Sequence, residues 1–231
     1  MTKVAVVAGV GPGNGAAIAR RFAAAGYKVA MLARGRDAVD ALATEIGARA
    51  FVCDVTSAES VAAAFAAIRA ELGEVEVLVY NAGGGVFADV EHITPAEFEA
   101  SWRVNAYGAL LCSQAVIPAM KAAGRGAIVF IGATASRRGG PRSAAFAPAK
   151  SAQRALAESM ARSLWPAGIH VALIVVDGVV DLARTRARLP DKPDSFFIKP
   201  VGVAETVYQL SQQDPSAWSF EVEARPFGEA W

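Results

Sequence analysis

The stretch "AGVGPGNGAAIARRFAAAGY" (8–27) decides the fold of this chain. It follows the run "KVAVVA" (3–8), a continuous β-branched and alanine segment that reads as a first strand. Gly9, Gly11, Gly13 and Gly15 fall where that strand must turn sharply into a helix. Glycine permits positive φ there and lets a backbone approach a diphosphate closely. The helix that begins near residue 14 then aims its unpaired N–H groups and positive dipole end at the anion. Glycines alone can mark a tight turn. Their setting between a first strand and an amphipathic helix points to nucleotide binding.

The same alternation continues to the end of the chain. Further strands are expected at "KVAML" (28–32), "RAFVC" (49–53), "VEVLVY" (75–80), "AIVFI" (127–131) and "HVALIVV" (170–176). Most are apolar throughout, which suits central strands covered on both faces. Helices are expected near 14–25, 37–46, 58–72, 95–122 and 143–166. The fourth opens with "TPAE" (94–97): an N-cap threonine, proline at the first helical position and a glutamate able to close a capping box. This pattern implies an α/β fold, a doubly wound parallel sheet of Rossmann type, as a single domain over 1–231. The segment 181–203, with three prolines and clustered charge, reads as an excursion over the sheet edge. The tail 216–227 alternates in part and reads as a last strand, and the apolar end of "GEAW" (228–231) hints at packing against another subunit.

Composition limits the choices. The 231 residues are 54% hydrophobic and 19% charged, with a formal net charge of +1. That balance gives no electrostatic case for nucleic acid or an acidic membrane surface. Cys53 and Cys112 each lie in an apolar run and read as buried free thiols of a reducing compartment. The N-terminal stretch reads as a strand rather than a leader, and no apolar run reaches the roughly 18 residues of a membrane span. The expected location is the cytoplasm.

The end of the second strand bears on which nucleotide is bound. A protein preferring NAD places a carboxylate there for the ribose 2′-hydroxyl. This chain reads "MLARGR" (31–36), with Ala33, Arg34 and Arg36. No carboxylate repels a 2′-phosphate, and a guanidinium can grip one bidentately. NADP(H) is therefore preferred, with NAD(H) as the alternative; Pro12, where NADP binders often carry a base, speaks the other way.

Taken together, "AGVGPGNG" (8–15), "CDV" (53–55), "NAG" (81–83), "VNAYG" (104–108), "AIVFIGATAS" (127–136) and "FAPAK" (146–150) resemble the short-chain dehydrogenase/reductase family over nearly the whole chain. The resemblance implies that Asp54 bonds the adenine amino group and that Val55 lies beside that ring. It implies that Asn81 pins the fourth strand beside the cofactor ribose, with Asn14, Ala82 and Gly83 completing the cofactor-binding set. Asn105 would hold a water, and Lys150 would bond the nicotinamide ribose and carry protons outward. Plainer readings are a helix cap for Asp54, a turn residue for Asn81 and a solvated charge for Lys150. The ordered combination favours function. A homodimer or homotetramer is the family's usual assembly, and the alanine-rich helices 95–122 and 143–166 would allow close packing.

Two departures stand out. The resemblance places a proton-donating tyrosine where this chain has Phe146, and an oxyanion-positioning serine where it has Ala133. Both hydroxyls are gone, which marks a divergent subgroup with Phe-x-x-x-Lys in place of Tyr-x-x-x-Lys. Thr134, Ser136, Ser143 and Tyr107 are the nearby substitutes, with Thr134 able to reach a ligand and Ser143 best read as a helix cap. After the sixth strand the family commonly shows proline–glycine and then a threonine. Here Asp177-Gly178 occurs, with no threonine before Thr185, leaving the Val179 backbone to meet the carboxamide. Two functions follow as expectations: an oxidoreductase acting on an unidentified small molecule, with a non-standard proton source, or a cofactor-binding protein without turnover. No metal site is expected.

Overall fold

A computed structural model describes residues 3–36 and 39–229. Seven strands form one parallel sheet: β1 (Val4–Ala8), β2 (Lys28–Ala33), β3 (Arg49–Val52), β4 (Val75–Tyr80), β5 (Gly126–Ala133), β6 (Ile169–Val176) and β9 (Glu221–Ala224). Their spatial order is β3-β2-β1-β4-β5-β6-β9, so the order reverses between β1 and β4. Every residue of β1 and of β6 is buried, while the edge strands β3 and β9 are only partly covered. Continuous apolar runs thus became central strands and weaker ones became edges.

Helices cover both faces. Against one face pack α1 (Asn14–Ala24), α2 (Asp40–Ile46) and α8 (Pro200–Ser211), through Ile18, Phe22, Leu42, Val203 and Val207. Against the other pack α3 (Ala58–Leu72), α5 (Gly108–Ala123) and α6 (Phe146–Leu164), through Phe65, Ile68, Cys112, Val116 and Met160. Among the described residues no helix is long and apolar enough to cross a membrane.

The differences from expectation have local causes. The helix expected over 95–122 is α4 (Pro95–Trp102), a π-helical turn (Arg103–Tyr107) and α5. Thr94 and Glu97 form the expected capping box. The helix expected from residue 143 begins at Phe146. Ser143 does not cap it: its hydroxyl turns back to Gly140, accepting from the amide at 2.7 Å and donating to the carbonyl at 2.9 Å. Pro148 sits in the first turn of α6, where no intrahelical N–H bond is lost.

Segment 181–203 is more ordered than an excursion. It holds α7 (Ala183–Arg188) and β8 (Phe197–Ile198), which pairs in parallel with β7 (Val179–Val180). It then runs into α8, a helix that pattern reading missed. "PVGVAETVYQLS" mixes β-branched residues with Gly202 and has weak intrinsic helix preference. Burial of Val203, Ala204, Val207 and Leu210 supplies what propensity lacks. The last strand is confirmed as β9, paired with β6; helix start 37–38 and the final two residues of "GEAW" lie outside the described residues.

α8 clamps α1, the helix that follows the glycine turn. Phe22 is fully buried, edge-on to Tyr27 at 5.1 Å and to Tyr208 of α8 at 5.5 Å between centroids. Arg21 lies 3.5 Å above the Tyr208 ring and bonds Glu205. Phe22→Ala should therefore cost about 3–5 kcal/mol, the usual range for an aromatic removed from a packed core. Urea unfolding of the variant beside the parent measures it.

Candidate functional site

The site begins at the switch point between β1 and β4. Gly9 has φ of +89°, and a Cβ on it would lie 2.4 Å from the Ala82 Cα, so no other residue fits. Asn81 closes the junction twice: its amide donates to the Ala8 carbonyl at 2.9 Å, and its Nδ2 donates to the Gly9 carbonyl at 2.6 Å. A Cβ on Gly15 would stand 2.6 Å from that same Gly9 carbonyl, which holds the helix start against the turn. Helix α1 then opens with neither a capping side chain nor an acidic residue in its first turn. Its free N–H groups and positive end favour an anion there. Asn14 adds a buried side-chain oxygen with no protein partner. Gly11 is open, and over Gly13 lies Leu182, whose Cδ2 would be 2.9 Å from a Cβ on that glycine.

The strand ends beside this turn carry the charges. Gly9 and Val10 amides both donate to the Leu32 carbonyl, at 2.9 and 3.0 Å, so the turn leans on the end of β2. Arg34 follows that strand and is exposed, as is Arg36, which stands 3.7 Å from Asp40. Asp54 follows β3. Its carboxylate accepts from the Thr56 amide at 2.9 Å and hydroxyl at 2.8 Å, and these bonds hold its pKa below the usual range, with Arg34 helping. Asp54 is thus part of a turn of its own. Val55 beside it is buried.

The residues expected to carry the chemistry lie at the next strand ends. Lys150 is buried; its Nζ donates to the Ile131 carbonyl at 2.7 Å and to Gln153 Oε1 at 3.1 Å. Burial pushes its pKa down to about 7. Gln153 donates in turn to the Asn105 carbonyl at 2.9 Å. Asn105 occupies the π-turn, where its Nδ2 donates to the Ser101 carbonyl at 2.7 Å and the Gly84 carbonyl at 2.6 Å. Tyr80 takes the Val104 carbonyl at 2.6 Å. The wide turn leaves carbonyls that the i→i+4 ladder would have used, and side chains capture them. Asn105 Oδ1 remains buried and unpartnered. It and Lys150 Nζ flank one small space, since a Cβ on Gly83 would come within 2.8 Å of the first and 3.2 Å of the second.

Of the expected substitutes for the missing hydroxyls, Thr134 and Ser143 donate to partners elsewhere, Ser136 accepts a backbone bond and Tyr107 is held through its ring. Thr134 donates to Asp177, which is buried and also paired with Arg225. Ser136 Oγ accepts from the Ala133 amide at 3.1 Å, and Tyr107 stacks on Trp102 at 5.8 Å. Ser143 is bound to Gly140, as above. Phe146 is half-buried, with its ring 5.3 Å from that of Phe87 and 6.0 Å from Lys150 Nζ. Val179 lies in β7 rather than in a free loop. Thr185 serves its own helix, its hydroxyl accepting from the Leu182 amide at 3.0 Å.

Sequence reading missed Gln153, Ser101, Leu182 and Asp177 as parts of this network. Gln153 and Ser101 carry a recoverable signal, because each lies within one helical turn of a recognised residue. Asp177 and Leu182 depend on loop paths and carry none.

The lysine makes a measurable claim. In the unfolded chain it titrates near 10.5, but in the fold near 7. Between those values the unfolded state alone holds the proton, so rising pH favours the fold; below about 7 the burial penalty is complete. The stability of the parent relative to Lys150→Met should therefore rise by at least about 1.4 kcal/mol between roughly pH 7 and pH 10, as read by urea melts at both ends.

Comparison with known proteins agrees with this geometry. A family model described as short chain dehydrogenase matches residues 3–192. A 3-oxoacyl-[acyl-carrier-protein] reductase, MabA, of Mycobacterium bovis is 35% identical over 224 residues, covering 94% of this chain and 88% of that protein. A D-threitol dehydrogenase of Mycolicibacterium smegmatis is 37% identical over 139 residues, and there the match spans 58% of this chain and only 54% of the relative. A metagenomic short-chain oxidoreductase solved in complex with NADP superposes with a TM-score of 0.85 at 31% identity, covering 98% of both chains. With its switch-point glycines, its buried lysine and asparagine and these matches, the chain belongs to the short-chain dehydrogenase family.

Proposed function

We propose that this protein is an NADP(H)-dependent oxidoreductase of a divergent subgroup, with Phe146 and Ala133 where the proton donor and oxyanion partner usually stand. The observation that carries the proposal is the space bounded by Gly83, Asn105 Oδ1 and Lys150 Nζ, where the Asn105 oxygen is buried without a partner. An unsatisfied buried acceptor costs stability, and a bound ribose hydroxyl or water would satisfy it. The residues fit the cofactor: Gly9 to Gly15 and Asn14 at the diphosphate, Arg34 at a 2′-phosphate, Asp54 and Val55 at the adenine, Asn81 to Gly83 and Lys150 at the nicotinamide ribose. The Val179 backbone would face the carboxamide. The NADP-bound relative supports this choice of nucleotide over NAD.

Bound there, the nicotinamide supplies or accepts a hydride. The chain's own part is to orient it and handle the proton. Lys150, titrating near neutrality, can pass a proton to or from water held by Asn105. Phe146 can do neither, and loss of a positioned acid costs about 10²–10⁴-fold in carbonyl reduction. Binding without turnover is the second reading, and the pairing of Thr134 with Asp177 favours it, since that hydroxyl is not left to replace the tyrosine. Stopped-flow assays of NADPH oxidation across quinones, enones and ketones separate the two.

The proposal extends to assembly and location. Phe98 and Trp102 are exposed on α4 at 43% and 42%, a face suited to a second copy in a homodimer or homotetramer. The free, buried thiols of Cys53 and Cys112 suit the reducing cytoplasm.

Two measurements test the assignment. Arg34→Ala should weaken NADPH binding roughly ten- to hundredfold and leave NADH nearly unchanged, because only the former loses a charge-assisted bond. Equal losses in calorimetry would remove the argument for a 2′-phosphate. Restoring both hydroxyls by Phe146→Tyr with Ala133→Ser should raise NADPH-dependent ketone reduction by at least about tenfold. A double variant that folds, binds NADPH and reduces no ketone would favour the non-catalytic reading.

A further inference from the structure

Beside Phe146 the chain displays apolar surface that the fold does not use. Phe87 is 58% exposed, Val86 41% and Val90 78%, all in the loop between β4 and α4. Clustered exposed apolar side chains mark a binding surface. The loop is held in place rather than left free: the Ala144 amide donates to the Ala88 carbonyl at 3.3 Å, and Arg142 Nη2 donates to the Phe87 carbonyl at 3.3 Å. Ser101 Oγ bridges the Gly84 and Ala145 carbonyls at 3.3 and 3.2 Å. Gly85 admits the Phe146 ring, since a Cβ there would stand 3.2 Å from both Phe146 Cβ and Cδ2. The two rings lie 5.3 Å apart and tilted by 50°, a contact geometry that leaves part of each ring to a third.

The same rim offers little to a carbonyl that needs a proton. Lys150 Nζ is bonded to Ile131 and Gln153, the hydroxyls of Thr134 and Ser143 donate to Asp177 and Gly140, and that of Ser136 accepts from the Ala133 amide. Aromatic contact is the recognition this rim offers, and a substrate whose reduced form carries its own negative charge suits it.

We propose that Phe87 and Phe146 bind a flat, uncharged aromatic quinone, the electron acceptor for the NADP(H) reaction assigned above, on which this inference rests. In the step, the C–H bond of NADPH that carries the hydride breaks, and its two electrons pass with that hydrogen to the quinone. NADPH is oxidised to NADP⁺ and the quinone is reduced to the hydroquinone monoanion, which takes one proton from water. The charge of that anion spreads over the ring and both oxygens. An acid strong enough to protonate an isolated alkoxide is unnecessary, which accounts for a phenylalanine at position 146.

The test uses the intact protein saturated with NADP⁺, so that no turnover intervenes. Calorimetric titration with NADP⁺ comes first; failure to bind it sinks the cofactor assignment and this proposal with it. The NADP⁺ complex is then titrated with 1,4-naphthoquinone and with cyclohexane-1,4-dione, which has two carbonyls but no aromatic plane. The quinone should bind at least about tenfold more tightly, and Phe87→Leu should weaken it about three- to tenfold while leaving the dione unchanged. Phe87→Trp should retain quinone binding. Phe87 is more than half exposed, so neither variant threatens the fold. A protein that binds NADP⁺ but does not prefer the quinone, or whose Phe87→Leu variant loses both ligands alike, overturns the quinone assignment and leaves the cofactor assignment standing.

Discussion

The hydrogen bond from Asn81 Nδ2 to the Gly9 carbonyl, 2.6 Å long, is the constraint on which the rest of the site depends. It joins the ends of β1 and β4 at the point where the strand order reverses. In an open parallel sheet, connections leave that point in opposite directions and open a crevice there. The bond closes the floor of the crevice. Because Gly9 approaches the Ala82 backbone so closely, Asn81 to Gly83 and the glycine turn behave as one piece. Gly83 then brings the same piece against Asn105 and Lys150, so the glycine turn and these two side chains share a rigid boundary.

A buried lysine is costly unless its environment repays the lost hydration. Here the repayment is two acceptors, Ile131 and Gln153, and a pKa near 7 that leaves the amine partly neutral at physiological pH. A structural role alone would have been met by methionine or leucine. This group lies beside an unpartnered Asn105 oxygen, with Phe146 one helical turn away on the same helix, so a buried amine and a buried acceptor face one another in a largely apolar setting.

The loop ends around β6 differ in kind. Asp177 is tied to Thr134 and Arg225, with Arg138 at 3.7 Å, and Arg137 and Arg154 reach Glu221 of β9. The last strand is thereby fastened to the loops after β5 and β6 by charge as well as by backbone pairing. Burial makes such pairs a matter of geometry: removing one member leaves an uncompensated charge.

Much of this was legible in sequence because the signals are local. A strand covered on both faces must be apolar throughout, a strand entering a helix over an anion must use glycines, and a capping box needs only "TPAE" (94–97). From these the sheet and the glycine turn could be placed before any coordinates, while Asn81, Asn105 and Lys150 were singled out by the resemblance of their motifs to the family. Contacts between distant segments were not legible. Ser143 has the side chain of a cap, yet the turn at Gly140 claimed it. Thr134 has a hydroxyl within the right loop, yet Asp177, distant in sequence, holds its proton. Helix α8 lacks strong propensity and exists through burial against the sheet and contact with α1. Phe146 was recognisable as a missing hydroxyl, but its meeting with Phe87 depends on how two loops close over the sheet. The sequence by itself determined the periodicities, the turns and the residue types available for chemistry, since each is set by neighbours along the chain. Tertiary structure alone decided which hydroxyls are free and which apolar rings face one another, because partners far apart in sequence are selected by packing.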